Sequence, residues 1–375
     1  MQQADILIIG GGIAGASAGF ALARDKRVIL LERESQPGYH STGRSAALFT
    51  EAYGNATIRA LTKASRAFFM GPPRGFTEHQ LLTPRGVITI GSADQKGAVE
   101  DGFAEAHRHV KTVRRISPDE ACAQVPVLRR DYVAHAFIEP EAMDIDVHAV
   151  HRGYLRGITA AGGRVVTDAE VTGIARKGDA WNVNTRAGDF AAPIVINAAG
   201  AWCDEIGKLA GVAPIGLVPK RRTAITFDLP PGQDPASWPS MMDASETFYI
   251  KPDAGRILAS PADETPMPPC DVQPDELDVA ILIDRLEQAT TLQVKRLASK
   301  WAGLRSFVFD KTLVAGFDAE APGFFWVAGQ GGYGIQTSPA MSRVVGALAL
   351  GKPLPADLID AGITEAALAP ARCRR

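Results

Sequence analysis

Ile6-Leu7-Ile8-Ile9-Gly10-Gly11-Gly12-Ile13-Ala14-Gly15 opens the chain, and Val28-Ile29-Leu30-Leu31-Glu32 follows shortly after. Four adjacent aliphatic residues bounded by glycine leave no face for water, so residues 6–9 read as a buried parallel strand. Residues 13–25 carry small and apolar side chains at helical spacing, and residues 28–31 close a right-handed βαβ unit. Gly-x-Gly-x-x-Gly lies between strand and helix: Gly10 permits the turn, Gly12 lets backbone approach a pyrophosphate, and Gly15 allows close helix packing. The helix start at Ile13 and Ala14 offers free N–H donors to phosphate, and Glu32 stands at the spacing needed to accept from ribose hydroxyls.

Working outward, 375 residues are enough for two cores. A formal net charge of -2 gives no excess of cations to neutralise phosphates, so nucleic acid is not an expected partner. No stretch reaches the roughly 18 apolar residues of a transmembrane helix, and no signal peptide is read at the start. Cys122, Cys203, Cys270 and Cys373 are scattered without a Cys-x-x-Cys pair, so neither a disulfide framework nor a metal site is expected. A cytoplasmic location follows, with peripheral contact at the inner membrane left open.

Residues 118–124, 146–161, 277–290 and 339–350 read as helices. Residues 164–166, 171–175, 181–185, 194–197 and 324–328 read as strands, and the alternation of residues 223–227 indicates an antiparallel sheet. The expected division is discontinuous: residues 1–85, 145–213 and 304–375 form the dinucleotide-binding lobe, and residues 86–144 and 214–303 the substrate lobe.

Two further glycine-rich segments choose between dinucleotides. Gly38-Tyr39-His40-Ser41-Thr42-Gly43-Arg44-Ser45-Ala46-Ala47 follows the second strand and suits a long extended cofactor. Gly329-Gln330-Gly331-Gly332-Tyr333-Gly334-Ile335-Gln336 opens a helix near the far end and would bring backbone donors to a polar ring system, which a nicotinamide does not require.

These segments, with residues 127–131, 153–157, 197–204, 301–307 and 330–338, resemble the D-amino acid oxidase, glycine oxidase and sarcosine oxidase superfamily, most closely the bacterial D-arginine dehydrogenases. The resemblance implies an α/β, two-lobe fold: a Rossmann domain of the glutathione-reductase type that binds FAD, and a substrate domain on a mixed or antiparallel sheet. It implies FAD contacts at Ala14, Glu32, Arg33, Ser41, Thr42, Gly43, Arg44, Ser45, Ala46, Ala47, Leu48 and Val171. Ala199, Gly200 and Trp202 join them, as do Gly331, Gly332, Tyr333, Gly334, Ile335, Gln336 and Thr337 beside the flavin ring. No cysteine is among these flavin-contact residues, so the FAD is expected to be non-covalent.

Arg222 and Arg305 match carboxylate-binding arginines, although Lys220-Arg221-Arg222 alone would read as a solvated run. Tyr53 and Tyr249 match substrate-site tyrosines, Tyr53 as a lid, and Gly332 and Gln336 would meet the substrate amine. The implied reaction passes the Cα hydrogen of a D-amino acid as hydride to flavin N5, the imino product hydrolysing to a 2-oxo acid and ammonia. Oxygen or a quinone would accept the electrons. His40 reads as a neighbour of the cofactor loop rather than a base. D-arginine dehydrogenases carry a glutamate where Val87 stands and a histidine where Leu48 stands. Leu48, Phe49 and Val87 should therefore make the side-chain pocket apolar and favour D-leucine, D-methionine or D-phenylalanine. The alternatives are an FAD-dependent 2-hydroxy acid dehydrogenase and a non-catalytic flavoprotein that binds an amino acid.

Overall fold

The computed structural model describes residues 1–374. Its first sheet has the strand order Arg164–Val166, Val28–Leu31, Ile6–Ile9, Ile194–Asn197, Phe324–Ala328, Val314–Phe317. The first five strands are parallel, and Val314–Phe317 closes the edge antiparallel. The chain passes from Ile6–Ile9 to a neighbour on one side and returns much later on the other. The carboxyl end of that strand is therefore a topological switch point, where such sheets open a crevice.

Both faces of this sheet are covered, which is why its strands read as unbroken apolar runs. Ile6 and Ile8 face helices Ile13–Leu22, Val147–Ala160 and Gly334–Ala349, whereas Leu7 and Ile9 face a meander of Val171–Lys177, Ala180–Thr185 and Gly188–Ala192.

The second sheet has eight strands in the order Ser299–Phe307, Val218–Phe227, Arg256–Ser260, Tyr249–Asp253, Ser240–Asp243, Val87–Gly91, His135–Glu139, Arg114–Ile116. Ser240–Asp243 pairs parallel with Val87–Gly91, and every other pairing is antiparallel. Period-two alternation divides its residues cleanly. Ile225, Ala259, Ile250, Met241, Ile88 and Ile138 share one face and pack with Val279, Leu282 and Leu286 of helix Glu276–Ala289. The register therefore puts Lys220, Arg222, Arg305, Tyr249, Lys251, Val87 and Glu139 on the other face.

Three boundaries differ from the sequence reading. Helix Ile13–Leu22 ends before Asp25. The strand expected at residue 223 begins at Val218, so the basic run lies inside it. The last long helix begins at Gly334, not at Pro339. No helix among the described residues is long and apolar enough to cross a membrane.

Candidate active site

Gly10 leaves the first strand with φ +105°, a region L side chains avoid, and a Cβ there would fall 2.4 Å from Ala198 O. At Gly15 a Cβ would meet Gly10 O at 1.9 Å, so only glycine lets the helix pack this close. Glu32 is buried: Oε2 accepts from Gly11 N at 2.7 Å and Oε1 from Glu34 N at 2.9 Å. The helix start is less open than the sequence suggests, because Ile13 N donates to Thr42 Oγ1 at 2.9 Å. Thr42 thus ties the second glycine segment to the first helix.

A cleft of about 410 Å³ opens at this switch point, lined by Gly10, Gly12, Ile13, Ala14, Glu32, Arg33, Ser41, Thr42, Val171, Ala199, Gly200, Trp202 and Gly331 among others. The Arg33 guanidinium lies 4.3 Å from the centre of the Trp202 ring and bonds Glu34 and His40. His40 in turn contacts Glu34 Oε1 at 2.8 Å. It lies in the wall at this end of the cleft.

A second cavity of about 100 Å³ continues the first, sharing Ile13, Ser41, Thr42, Leu304, Gln330 and Gly331 with it. Arg44, Ser45, Ala46, Ala47, Leu48, Arg222, Ala224, Tyr249, Gly303, Arg305, Gly332, Gly334, Ile335 and Gln336 complete its wall. The two distant glycine segments therefore meet. A Cβ on Gly334 would lie 3.4 Å from Ile13 Cγ2, and one on Gly332 would lie 2.9 Å from Arg305 Nη1.

Strand alternation resolves the basic run. Arg221 points away and bonds Asp263 and Asp278, while Arg222 points to the cavity with its side chain 13% exposed. Arg222 Nε donates to the Asp263 carbonyl at 3.0 Å, and Nη2 reaches Glu264 at 3.4 Å. Desolvation, reinforced by the Arg305 charge, holds the Arg222 guanidinium below its ordinary value. At Arg305 desolvation pulls the same way but is outweighed by charge interactions with Tyr53, Tyr249 and Tyr333, whose phenols ionise in the same high-pH range, and with Glu264, and its value is raised. Two guanidinium groups that stay charged side by side in a sheltered wall form a site for a planar anion.

Several residues named from the sequence lie outside the cavity wall. Gly15 packs the helix, and Gly43 N closes a turn on Gly38 O at 2.7 Å. Thr337 bonds Tyr333 O inside the terminal helix. Tyr53 and Tyr333 pack against each other at 5.1 Å between ring centres, the rings tilted by 53°. Val87 faces the correct side of its sheet without lining the cavity. Phe49, expected in the side-chain pocket, is fully buried against Phe69 in the core between the first sheet and its helices.

Two buried groups escaped the sequence reading. His151 Nε2 contacts Gly11 O at 2.8 Å beneath the glycine turn, and desolvation lowers its pKa. Glu139 accepts from Thr50 Oγ1 at 2.7 Å, with the backbone N–H groups of Glu51 and Ala52 directed toward the same carboxyl. Desolvation pushes its carboxyl up to about 7. Neither lies in a motif; only the direction of a strand or helix face places them.

The cleft fits a long ligand that is polar at both ends. Glu32 stands at one end, and at the other Ser306 Oγ, Gln330 Nε2 and Gln336 Nε2 are buried without a hydrogen-bond partner. Unpaired buried donors are costly, and a ring system with carbonyl and nitrogen acceptors would satisfy them. None of the four cysteines lines either cavity.

Comparison with known proteins agrees with this geometry. The chain is 23% identical to glycine oxidase of Geobacillus kaustophilus (strain HTA426), over 96% of each chain. It is also 23% identical to FAD-dependent oxidoreductase domain-containing protein 1 of Xenopus laevis, over 92% of this chain and 79% of that protein. The crystal structure of L-proline dehydrogenase from P. horikoshii superposes with a TM-score of 0.81 at 21% identity, covering 94% of this chain and 96% of that one. A family model described as FAD dependent oxidoreductase matches residues 5–348. The chain therefore belongs to the DAO family of FAD-dependent oxidoreductases, and FAD is its cofactor.

Proposed function

We propose that this enzyme oxidatively deaminates D-amino acids to 2-oxo acids and ammonia, preferring hydrophobic side chains to D-arginine, on a non-covalently held FAD. The carrying observation is the pair Arg222 and Arg305 on one sheet face at the inner end of the cleft, with Tyr249 beside them. A carboxylate matches two guanidinium forks, and relatives named glycine oxidase and L-proline dehydrogenase support an amino-acid substrate.

FAD, when bound, supplies the hydride acceptor. The side chains position and shelter the substrate. Arg222 and Arg305 hold the carboxylate, Gly332 and Gln336 orient the neutral amine, and Tyr249 and Tyr53 keep water from the reacting carbon. The side chain then extends toward Leu48 and the face that bears Val87. No carboxylate stands at either position, and a desolvated guanidinium without its anion costs about 3 to 5 kcal/mol. Residues 86–144 and 214–303 are assigned to the substrate lobe in this reading, and oxygen or a quinone takes up the electrons.

The test is anaerobic mixing of the holoenzyme with D-amino acids, L-amino acids and 2-hydroxy acids while flavin absorbance is followed. D-leucine, D-methionine and D-phenylalanine should bleach it fastest, with D-arginine lower in kcat/KM by about two decades. A ranking led by D-arginine or D-lysine would end the proposed preference, and bleaching by hydroxy acids alone would end the amine reading.

A further inference from the structure

The segment after Phe49 is held at both ends of the proposed substrate site. Thr50 N donates to Gln336 Oε1 at 3.2 Å, which couples the segment to the helix at the inner cavity. Tyr53 packs against Tyr333 with the rings tilted by 53° and lies within electrostatic reach of Arg305. Gly54 turns the chain at φ +89°, and its carbonyl accepts from Arg59 Nη1 at 2.5 Å. Between these points the backbone hangs on one group. The Glu139 side chain takes the Thr50 hydroxyl at 2.7 Å, and the N–H groups of Glu51 and Ala52 are directed toward the same carboxyl.

Glu139 ends its strand directly opposite Val87, so the two side chains share the cavity-facing side of the sheet. The residue is only 7% exposed. An apolar side chain there would leave two backbone donors unpaired, so the buried carboxyl has a specific task. We propose that Glu139 is a positioning residue: its carboxyl group fixes the 50–53 segment so that Tyr53 covers the substrate end of the cleft and Gln336 keeps its orientation. The proposal rests on reading the Arg222 and Arg305 end as the substrate site.

The charged groups around it are otherwise engaged. Glu51 pairs with Arg66 at 2.6 Å, and Arg66 approaches Glu141 at 3.8 Å. Arg59 pairs with Glu105 at 3.1 Å. Lys251, in the same cross-strand row through Ser240 and Val87, is held by Asp144 at 2.9 Å, which Arg85 also contacts at 2.7 Å. With these cations spent on other partners, burial pushes the Glu139 carboxyl up to about 7.

The sign of the pH effect follows from burial. Closing the segment over Glu139 raises its value, so the closed form binds the proton more tightly than an opened form in which water reaches the carboxyl. The segment is therefore held most firmly below neutral pH, where the protonated group still accepts through its carbonyl oxygen, and loosens above it.

The test compares the wild-type holoenzyme with Glu139→Gln and Thr50→Val, by amide hydrogen exchange of residues 51 and 52 and by steady-state kinetics, on both sides of neutral pH. In wild type the protection of these amides should fall by about tenfold on passing from below to above neutral pH, and KM should rise by about as much with kcat much less changed. In Glu139→Gln, whose side chain cannot ionise, both changes and the neutral inflection in kcat/KM should vanish. Thr50→Val should weaken protection and keep the inflection. Unchanged exchange in both variants overturns the proposal, as does altered exchange with unchanged KM and pH profile. If no amino acid reduces the flavin, the substrate reading fails by itself, and the exchange data still decide what Glu139 holds.

Discussion

Arg222 shows what one residue in a charge run reveals and conceals. Composition cannot tell it from Arg221, yet one step along a strand sends Arg221 to Asp263 and Asp278 and Arg222 to the cavity. The family resemblance pointed to Arg222 and Arg305, and the register supplies the physical reason: both lie on the sheet face opposite helix Glu276–Ala289. Replacing Arg305 by Met keeps most of the side-chain volume and removes the charge, leaving a bound carboxylate with half its clamp. The expected cost is about 3 kcal/mol, or roughly two decades in kcat/KM, with the flavin still bound. Normal catalytic efficiency in Arg305→Met would remove the clamp from the account. Glu139 and His151 were invisible to the same reading because their roles arise from contacts with residues 50–52 and Gly11, far away in sequence.

At the scale of elements, the motif-bearing pieces were legible and the boundaries set by side-chain hydrogen bonding were not. The strand–glycine–helix–strand opening is local, so sequence order places all of its parts. Pro339 misled the reading of the last helix, since proline ordinarily marks a first turn. Here it sits inside Gly334–Ala349, and the carbonyl it leaves without an N–H partner, that of Ile335, accepts instead from Ser338 Oγ at 2.9 Å. The start of Val218–Phe227 was missed because a proline and three cations hide the alternation that cross-strand pairing with Ser299–Phe307 enforces. The tightest element contact is at Gly15, where an added methyl would meet Gly10 O at 1.9 Å. Gly15→Ala should force the helix from the strand, lower stability by about 2 kcal/mol in urea unfolding, and leave the purified protein depleted of FAD. A variant with full flavin content and an unshifted urea midpoint would show that the packing has slack the geometry denies.

For the whole molecule, the decisive fact is that residues distant along the chain line one continuous cleft: Gly10 to Leu48, Ala169 to Leu209, and Leu304 to Gln336. A cofactor lying across all three segments stabilises the native chain by closing them on each other, since an unfolded chain offers no such cleft. At FAD concentrations about a hundredfold above Kd, linkage gives roughly 2.7 kcal/mol of added stability. Trp202 lines the cleft beside Arg33, so its fluorescence should report both binding and unfolding. Stripping the flavin should lower Tm, and titrating FAD back should raise it steadily with the logarithm of FAD concentration, in step with quenching of the tryptophan signal. A Tm indifferent to FAD would mean that the three segments do not close on the cofactor together. The buried unpaired amides of Gln330 and Gln336 would then need another partner.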